Sequence, residues 1–205
     1  MHALDVTVPM TRDQLLGGSA FDIEQEMNRD VSEAFAVREG RDFVRGNGVN
    51  EPEGFMIDER VEFRPTAAAG VVDYTDIALL TGDLKTGQDP MFAFNRRQKA
   101  SLLATTDNEG RPIWTPGSAD GSPPLIWGYR YDADFIDMDN PDVTGNEPII
   151  FGDFRRGYEI HDRLQTEVIR DDYTRKRNRI IEYTFYRYND GKLILPDAFV
   201  KLRVS

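Results

Sequence analysis

Apolar and polar residues alternate from the start of the chain, with Leu4, Val6 and Val8 separated by Asp5 and Thr7. That period of two predicts a strand over 4–9 with the three apolar side chains on one face. Leu15-Leu16-Gly17-Gly18 breaks the pattern. From Ser19 to Arg45 the period changes: Ile23, Met27, Val31, Ala34 and Phe35 recur at spacings of three and four. This predicts a long amphipathic helix with those five residues on its buried face. Ser19 fits the N-cap and Asp22 its capping-box partner. Asp22, Glu24 and Glu26 at one end, with Arg41 and Arg45 at the other, complement the helix dipole. Gly46 and Gly48 supply the stop. At 1.5 Å per residue the helix would be about 40 Å long. It should therefore lie across a surface, where it is also a candidate assembly interface.

The segment Gly46 to Phe55 is rich in turn formers and predicts a loop entering a new layer. No strand-loop-helix context or Lys-Ser/Thr follows it, so it is no phosphate cradle. Phe63, flanked by Glu62 and Arg64, predicts a short strand. Tyr74 to Leu80 predicts a helix capped near Asp73 or Thr75, and Met91 to Asn95 a strand. Arg96 to Thr105 predicts a second amphipathic helix with Ala100, Leu103 and Ala104 inward. The segment 107–112 reads as a tight turn with Gly110 at positive φ. Thr115 to Pro124 reads as an exposed loop.

Strands are then expected at Leu125–Tyr131, Ile149–Phe154, Tyr158–Ile160, Gln165–Arg170 and the long Arg179–Tyr188. In the last, Ile181, Tyr183 and Phe185 alternate with Glu182, Thr184 and Tyr186. Asn189-Asp190-Gly191 has the composition of a hairpin turn. Segments 192–195 and 200–204 finish the chain. The pattern gives an α+β class with helices early and strands late.

Composition narrows the function classes. The 205 residues contain no cysteine, which removes disulfides, thiolate metal sites and thiol nucleophiles. His2 and His161 alone leave little for metal or triad chemistry. No apolar run approaches the length of a membrane span, and no signal-peptide pattern opens the chain. The chain is expected to remain in the cytosol where it is made. A formal net charge of −11 argues against general polyanion binding.

Three constellations test the remaining chemistry. Asp132, Asp134, Asp137, Asp139 and Asp142 fail the calcium-loop spacing, since Ile136 stands where a ligand is required and Pro141 interrupts the rest. His161 and Asp162 are neighbours on a strand and point to opposite faces, so they form no dyad. Arg170, Arg175, Lys176, Arg177 and Arg179 are interrupted by Asp171 and Asp172, which reads as a mixed-sign surface or an inter-subunit ion-pair network. No carboxylate pair stands out for acid/base work.

Several ordered segments carry a family likeness. Phe21 to Phe55, with Asp22-Ile23-Glu24, Ala34-Phe35-Ala36 and the run Gly46-Asn47-Gly48 to Gly54, resembles a spine helix and glycine loop. Phe94-Asn95-Arg96 and the Asp107-Asn108-Glu109-Gly110-Arg111 turn follow. Leu125-Ile126-Trp127-Gly128 comes next, with Arg130 where proline is usual. Gly152-Asp153-Phe154 to Tyr158 and the closing Arg187 to Gly191 and Asp197-Ala198-Phe199 complete the order. Together they resemble tailed-bacteriophage major capsid proteins with the Hong Kong ninety-seven-type shell fold.

The resemblance implies a long spine helix, a peripheral domain (1–49 and 159–190) and an axial domain (50–158 and 191–205). It implies a structural subunit forming pentamers and hexamers of an icosahedral phage or prophage head, located in the virion. The partners would be the chain itself and other virion or portal proteins, with no sequence-specific nucleic acid and no membrane. An encapsulin-like compartment subunit shares the fold. A small acidic carboxylate-dependent hydrolase is the alternative from another class. Family members carry an N-terminal arm and an extended β-loop, for which only a strand precedes Ser19. The isolated chain is therefore expected to be a monomer or small oligomer. Some members crosslink an Asn placed like Asn178 with help from a Glu, but Phe185 falls about where that Glu would lie. No autocatalytic crosslinking is expected, and no catalytic, cofactor-binding or metal residue is assigned.

Overall fold

The computed structural model describes residues 1–16, 23–106, 109–111, 114–115, 125–163 and 166–205. In chain order the elements are β1 (His2–Thr11), α1 (Arg12–Leu16), α2 (Ile23–Arg45), β2 (Glu62–Pro65), α3 (Tyr74–Gly82), β3 (Met91–Phe94), α4 (Arg96–Ala104) and β4 (Trp114–Thr115). They continue as β5 (Leu125–Ile126), β6 (Arg130–Asp132), β7 (Ile149–Gly152), α5 (Phe154–Gly157), β8 (Tyr158–Asp162), β9 (Glu167–Asp171), β10 (Ile180–Leu193) and β11 (Phe199–Arg203). Helices and strands are mixed, but strands are not confined to the second half.

The first sheet is built on β10. β1 pairs antiparallel along one edge, from Thr11 opposite Ile180 to His2 opposite Asn189. Along the other edge β9 covers Glu182 to Tyr186, and β8 covers Asn189 to Leu193. The period of two buries Ile181, Tyr183 and Phe185 on one face of β10, and α2 covers them with Met27, Val31 and Phe35. Leu4, Val6 and Val8 of β1 join this cluster, as their alternation predicts. Ala34 departs from the sequence reading: it is exposed, and Ile23 only half-buried. The contact is a narrower stripe at spacings of four. The capping positions Ser19 and Asp22 lie outside the described residues.

The second sheet has the order β2-β11-β7-β3-β6. β11 runs parallel to β2 and antiparallel to β7, and β3 runs antiparallel to β7 and parallel to β6. One face carries Phe92, Phe94, Ile149, Phe151, Val200 and Leu202 under α3 and α4. The opposite face carries Ala93, Ile150 and Phe199 against Val44, Phe55, Met56 and Leu193. Burial on both faces explains why Ile149-Ile150-Phe151 is a continuous apolar run rather than an alternating one.

Asp73 caps α3 in a reciprocal capping box with Asp76, as expected near that position. In α4 the inward residues are Gln98 and Leu102, not Ala100, Leu103 and Ala104, of which Leu103 is 45% exposed. The expected strand 125–131 is broken. Trp127 and Gly128 take positive φ, and Ile126 and Tyr129 exchange two backbone hydrogen bonds across a two-residue turn. Gly110 has the positive φ expected of it, whereas 107–108 and 112 lie outside the described residues, as do 116–124. Phe154 opens α5 rather than ending a strand, and Arg179, in the left-handed region, precedes β10 rather than starting it. Asn189-Asp190-Gly191 is not a turn but continuous strand, paired with β8.

The loop after α2 ties the two sheets together. The amide of Gly46 donates to the Asp42 carbonyl at 2.7 Å, and that of Gly54 to the Gly46 carbonyl at 2.9 Å. A Cβ at Gly54 would lie 2.6 Å from the Arg45 and Gly46 nitrogens, so only glycine fits there. Arg38 bonds the buried Asp42 at 2.9 Å and Glu51 at 3.0 Å. The Tyr158 hydroxyl donates to the Glu53 carbonyl at 2.6 Å.

Arg60 embraces Asp58, whose carboxyl falls to about 2, first because of that side-chain hydrogen bond. Glu53 moves the other way, because burial and the neighbouring Asp58 favour its protonated form. A depressed carboxylate stabilises above its ordinary value of 3.8 and stops doing so as pH falls toward about 2. Urea unfolding of the wild type and Asp58→Asn should therefore differ at pH 5, with the difference shrinking through that window. An equal gap at pH 5 and pH 2 would contradict the assignment. Among the described residues, no helix is long and apolar enough to cross a membrane.

Candidate assembly surfaces

The residues considered for chemistry are scattered and occupied. His161 faces Glu159 at 3.3 Å, while Asp162 pairs with Arg187 at 2.6 Å, so the strand does point the two neighbours apart. In the acidic stretch, Asp134 pairs with Arg96 at 2.8 Å, Asp142 with Arg97 at 3.5 Å, and Asp139 with Arg45. Asp139 also accepts the Glu147 amide at 3.0 Å. These carboxylates latch neighbouring elements rather than forming only a solvated loop. Among the described residues, no group of three or more His, Asp or Glu side chains could hold a metal ion. Glu53 and Asp58 are adjacent carboxyls, but Arg60 bonds both, at 3.3 Å to Glu53.

Two surface features remain. The first is a groove of about 330 Å³ between β1 and α2. Its floor includes Val8, Met10, Met27 and Val31, and Glu26 and Asp30 stand on its rim. Spacings of four on α2 and of two on β1 put these residues there. The sequence pattern puts Met27 and Val31 on the buried face of α2 and Val8 on one face of the first strand, and leaves Met10 unassigned; the gap left between helix and edge strand is a property of packing that no local pattern carries.

The second is the connection from β9 to β10. Asp171 accepts the amides of Tyr173 at 2.7 Å and Thr174 at 3.0 Å, and its carboxyl is held below the usual range, chiefly by the Thr174 hydroxyl. Arg12 donates its amide to the Arg179 carbonyl at 2.8 Å. The ordered tip presents Tyr173, 79% exposed, beside Arg175, Lys176 and Arg177. Arg170 pairs with Asp172 at 3.1 Å and Arg175 with Glu182 at 3.0 Å. Lys176, Arg177 and Arg179 have no ion-pair partner among the described residues.

A helix is laid across one sheet and joined by a tied loop to a second sheet buried on both faces. The family model described as "Phage capsid family" matches residues 1–204. The chain belongs to the phage capsid family. Among solved structures, the capsid of the empty GTA particle is 25% identical, with a TM-score of 0.85 over 100% of this chain and 73% of that one. The SrpI encapsulin complex of Synechococcus elongatus PCC 7942 is 16% identical, with a TM-score of 0.76 over 98% and 72%. Gordonia phage Cozz is 17% identical, with a TM-score of 0.65 over 99% and 70%. These last two likenesses concern the fold. No curated protein sequence matches the chain. This capsid-family chain is a structural shell subunit, and family and fold mark it as structural rather than enzymatic.

Proposed function

We propose that α2 is the spine helix of a phage-head subunit and that the first sheet with α2 forms a peripheral-type domain, 1–49 and 159–190. The second sheet with α3 and α4 forms an axial-type domain, 50–158 and 191–205. Copies associate into pentamers and hexamers that close an icosahedral head around DNA, with portal and other virion proteins as further partners and no catalytic or metal site. The observation that carries this reading is the full-length superposition on the empty GTA capsid at a TM-score of 0.85. The net charge of −11 supports a wall that encloses DNA without adhering to it.

Sedimentation velocity over a concentration series, with negative-stain microscopy, tests the proposal. A monomer at low concentration that associates toward pentamer- or hexamer-sized species as concentration rises is expected, and no association at the highest concentration would overturn it. The encapsulin likeness at a TM-score of 0.76 favours a compartment subunit as second reading. Particles that co-purify with one stoichiometric protein cargo and no DNA would establish that reading instead.

A further inference from the structure

The tip and the groove described above are opposite in charge, and they lie at one end of the first sheet. Thr11, at the end of β1, pairs with Ile180 just after the tip, and the groove opens beside that part of β1. Tyr173 is 79% exposed, so it does not seat in its own subunit's groove. An aromatic ring flanked by cations is an interface anchor waiting for an apolar slot with an acidic rim. The groove's volume of about 330 Å³ has room for such a side chain. The exposed N-terminal half of α2 carries Glu24, Glu26, Asp30 and Glu33 against Arg29 alone. Four carboxylates less one guanidinium leave three negative charges, opposite the three unpaired cations Lys176, Arg177 and Arg179.

We propose that the Tyr173–Arg179 tip of one subunit docks in the β1–α2 groove of a neighbouring copy, with Tyr173 on the apolar floor and Lys176 and Arg177 against Glu26 and Asp30. The inference rests on the shell-subunit reading. Donor and acceptor are different patches of one chain, so a one-way contact is head-to-tail and closes a ring where the rotation permits, whereas a reciprocal exchange closes a two-fold pair. A polyanion is the weaker fit, because Asp171, Asp172 and the acidic half of α2 stand beside the same cations.

The absence of cysteine gives a clean test. Chains carrying Asn178→Cys, which keeps Tyr173 and lies in the same exposed tip, are mixed with chains carrying Ala34→Cys on the groove side of α2, oxidised under assembly conditions, and separated without reductant. A Leu103→Cys chain, altered on the exposed face of α4, is the control. The Asn178→Cys and Ala34→Cys chains should join about tenfold more than either joins the control, because docking raises the local thiol concentration; adding Tyr173→Ala to the tip chain should lower that excess. Adding Lys176→Glu and Arg177→Glu to the tip chain should remove that excess, and Glu26→Lys with Asp30→Lys in its partner should restore it. Yields equal to the control, while light scattering still reports self-association, overturn the contact. So does a dominant tip-to-tip disulfide, or loss of bound DNA as the sole effect of the tip reversals. Absence of any self-association overturns the shell reading itself.

Discussion

Replacing Glu147 with Ala is expected to lower the free energy of unfolding by about 3–5 kcal/mol, because it strands a buried cation. Lys201 projects from β11 with its side chain 5% exposed, and Glu147, 11% exposed, meets its ammonium at 2.9 Å. The same ammonium donates to the Met56 carbonyl at 3.0 Å. Glu147 also holds Arg203 at 2.5 Å, but Arg203 is 39% exposed and can turn to water. Lys201 cannot. Without the carboxylate it keeps only carbonyl dipoles in a setting that penalises its charge.

Urea unfolding at neutral pH measures the loss. The double variant Glu147→Ala, Lys201→Met should recover much of it, since an apolar side chain of similar length leaves no charge to desolvate. A loss below about 1 kcal/mol for Glu147→Ala, within the range of an exposed pair, would show that the pair is surface-like. The prediction also bears on the junction between sheets, because Lys201 links β11 to the segment after the glycine loop.

Much of the fold is legible in local pattern, and the failures share one physical cause. The stripe Met27, Val31, Phe35 and the alternation Ile181, Tyr183, Phe185 both identify buried faces because each element meets its neighbour on one side. Reading α4 by its apolar residues fails because rotation about its axis is set elsewhere. Asn95 accepts the Gln98 amide at 2.7 Å and donates to the carbonyls of Met138 and Asp139 at 3.0 and 2.8 Å. That anchor turns Gln98 and Leu102 inward and leaves Leu103 in solvent.

Asn189-Asp190-Gly191 fails for a related reason. Its turn propensity is local, whereas pairing with β8 is not. Gly191 marks a close approach: a Cβ there would meet the Tyr158 hydroxyl at 2.2 Å and the Phe43 ring at 2.9 Å. Of the candidate surfaces, the basic tip was visible as a charge run. The groove was not, because apolar floor residues look the same in sequence whether the space above them is filled or open.

The α2 stripe allows a second large effect to be stated. Phe35→Ala should cost about 3–5 kcal/mol, the range for removing a buried aromatic ring. Phe35 is 5% exposed and packs in the cluster of Ile181, Tyr183 and Phe185, whereas Val37, two residues on, is 62% exposed. Val37→Ala should therefore change stability by no more than about 0.5 kcal/mol. The comparison isolates packing, since both substitutions place the best helix former at interior positions of the same helix.

Circular dichroism during urea unfolding supplies the numbers, and hydrogen exchange locates the loss. In the Phe35→Ala chain, amides of α2, β1 and β10 should exchange faster, while those of β7 and β11 hold, because the second sheet has its own two-sided core. Equal costs for the two substitutions would mean that α2 is not fastened to the sheet through this stripe. A shell subunit needs that fastening: a helix lying on one sheet passes load from its neighbours into the fold only through the side chains it buries.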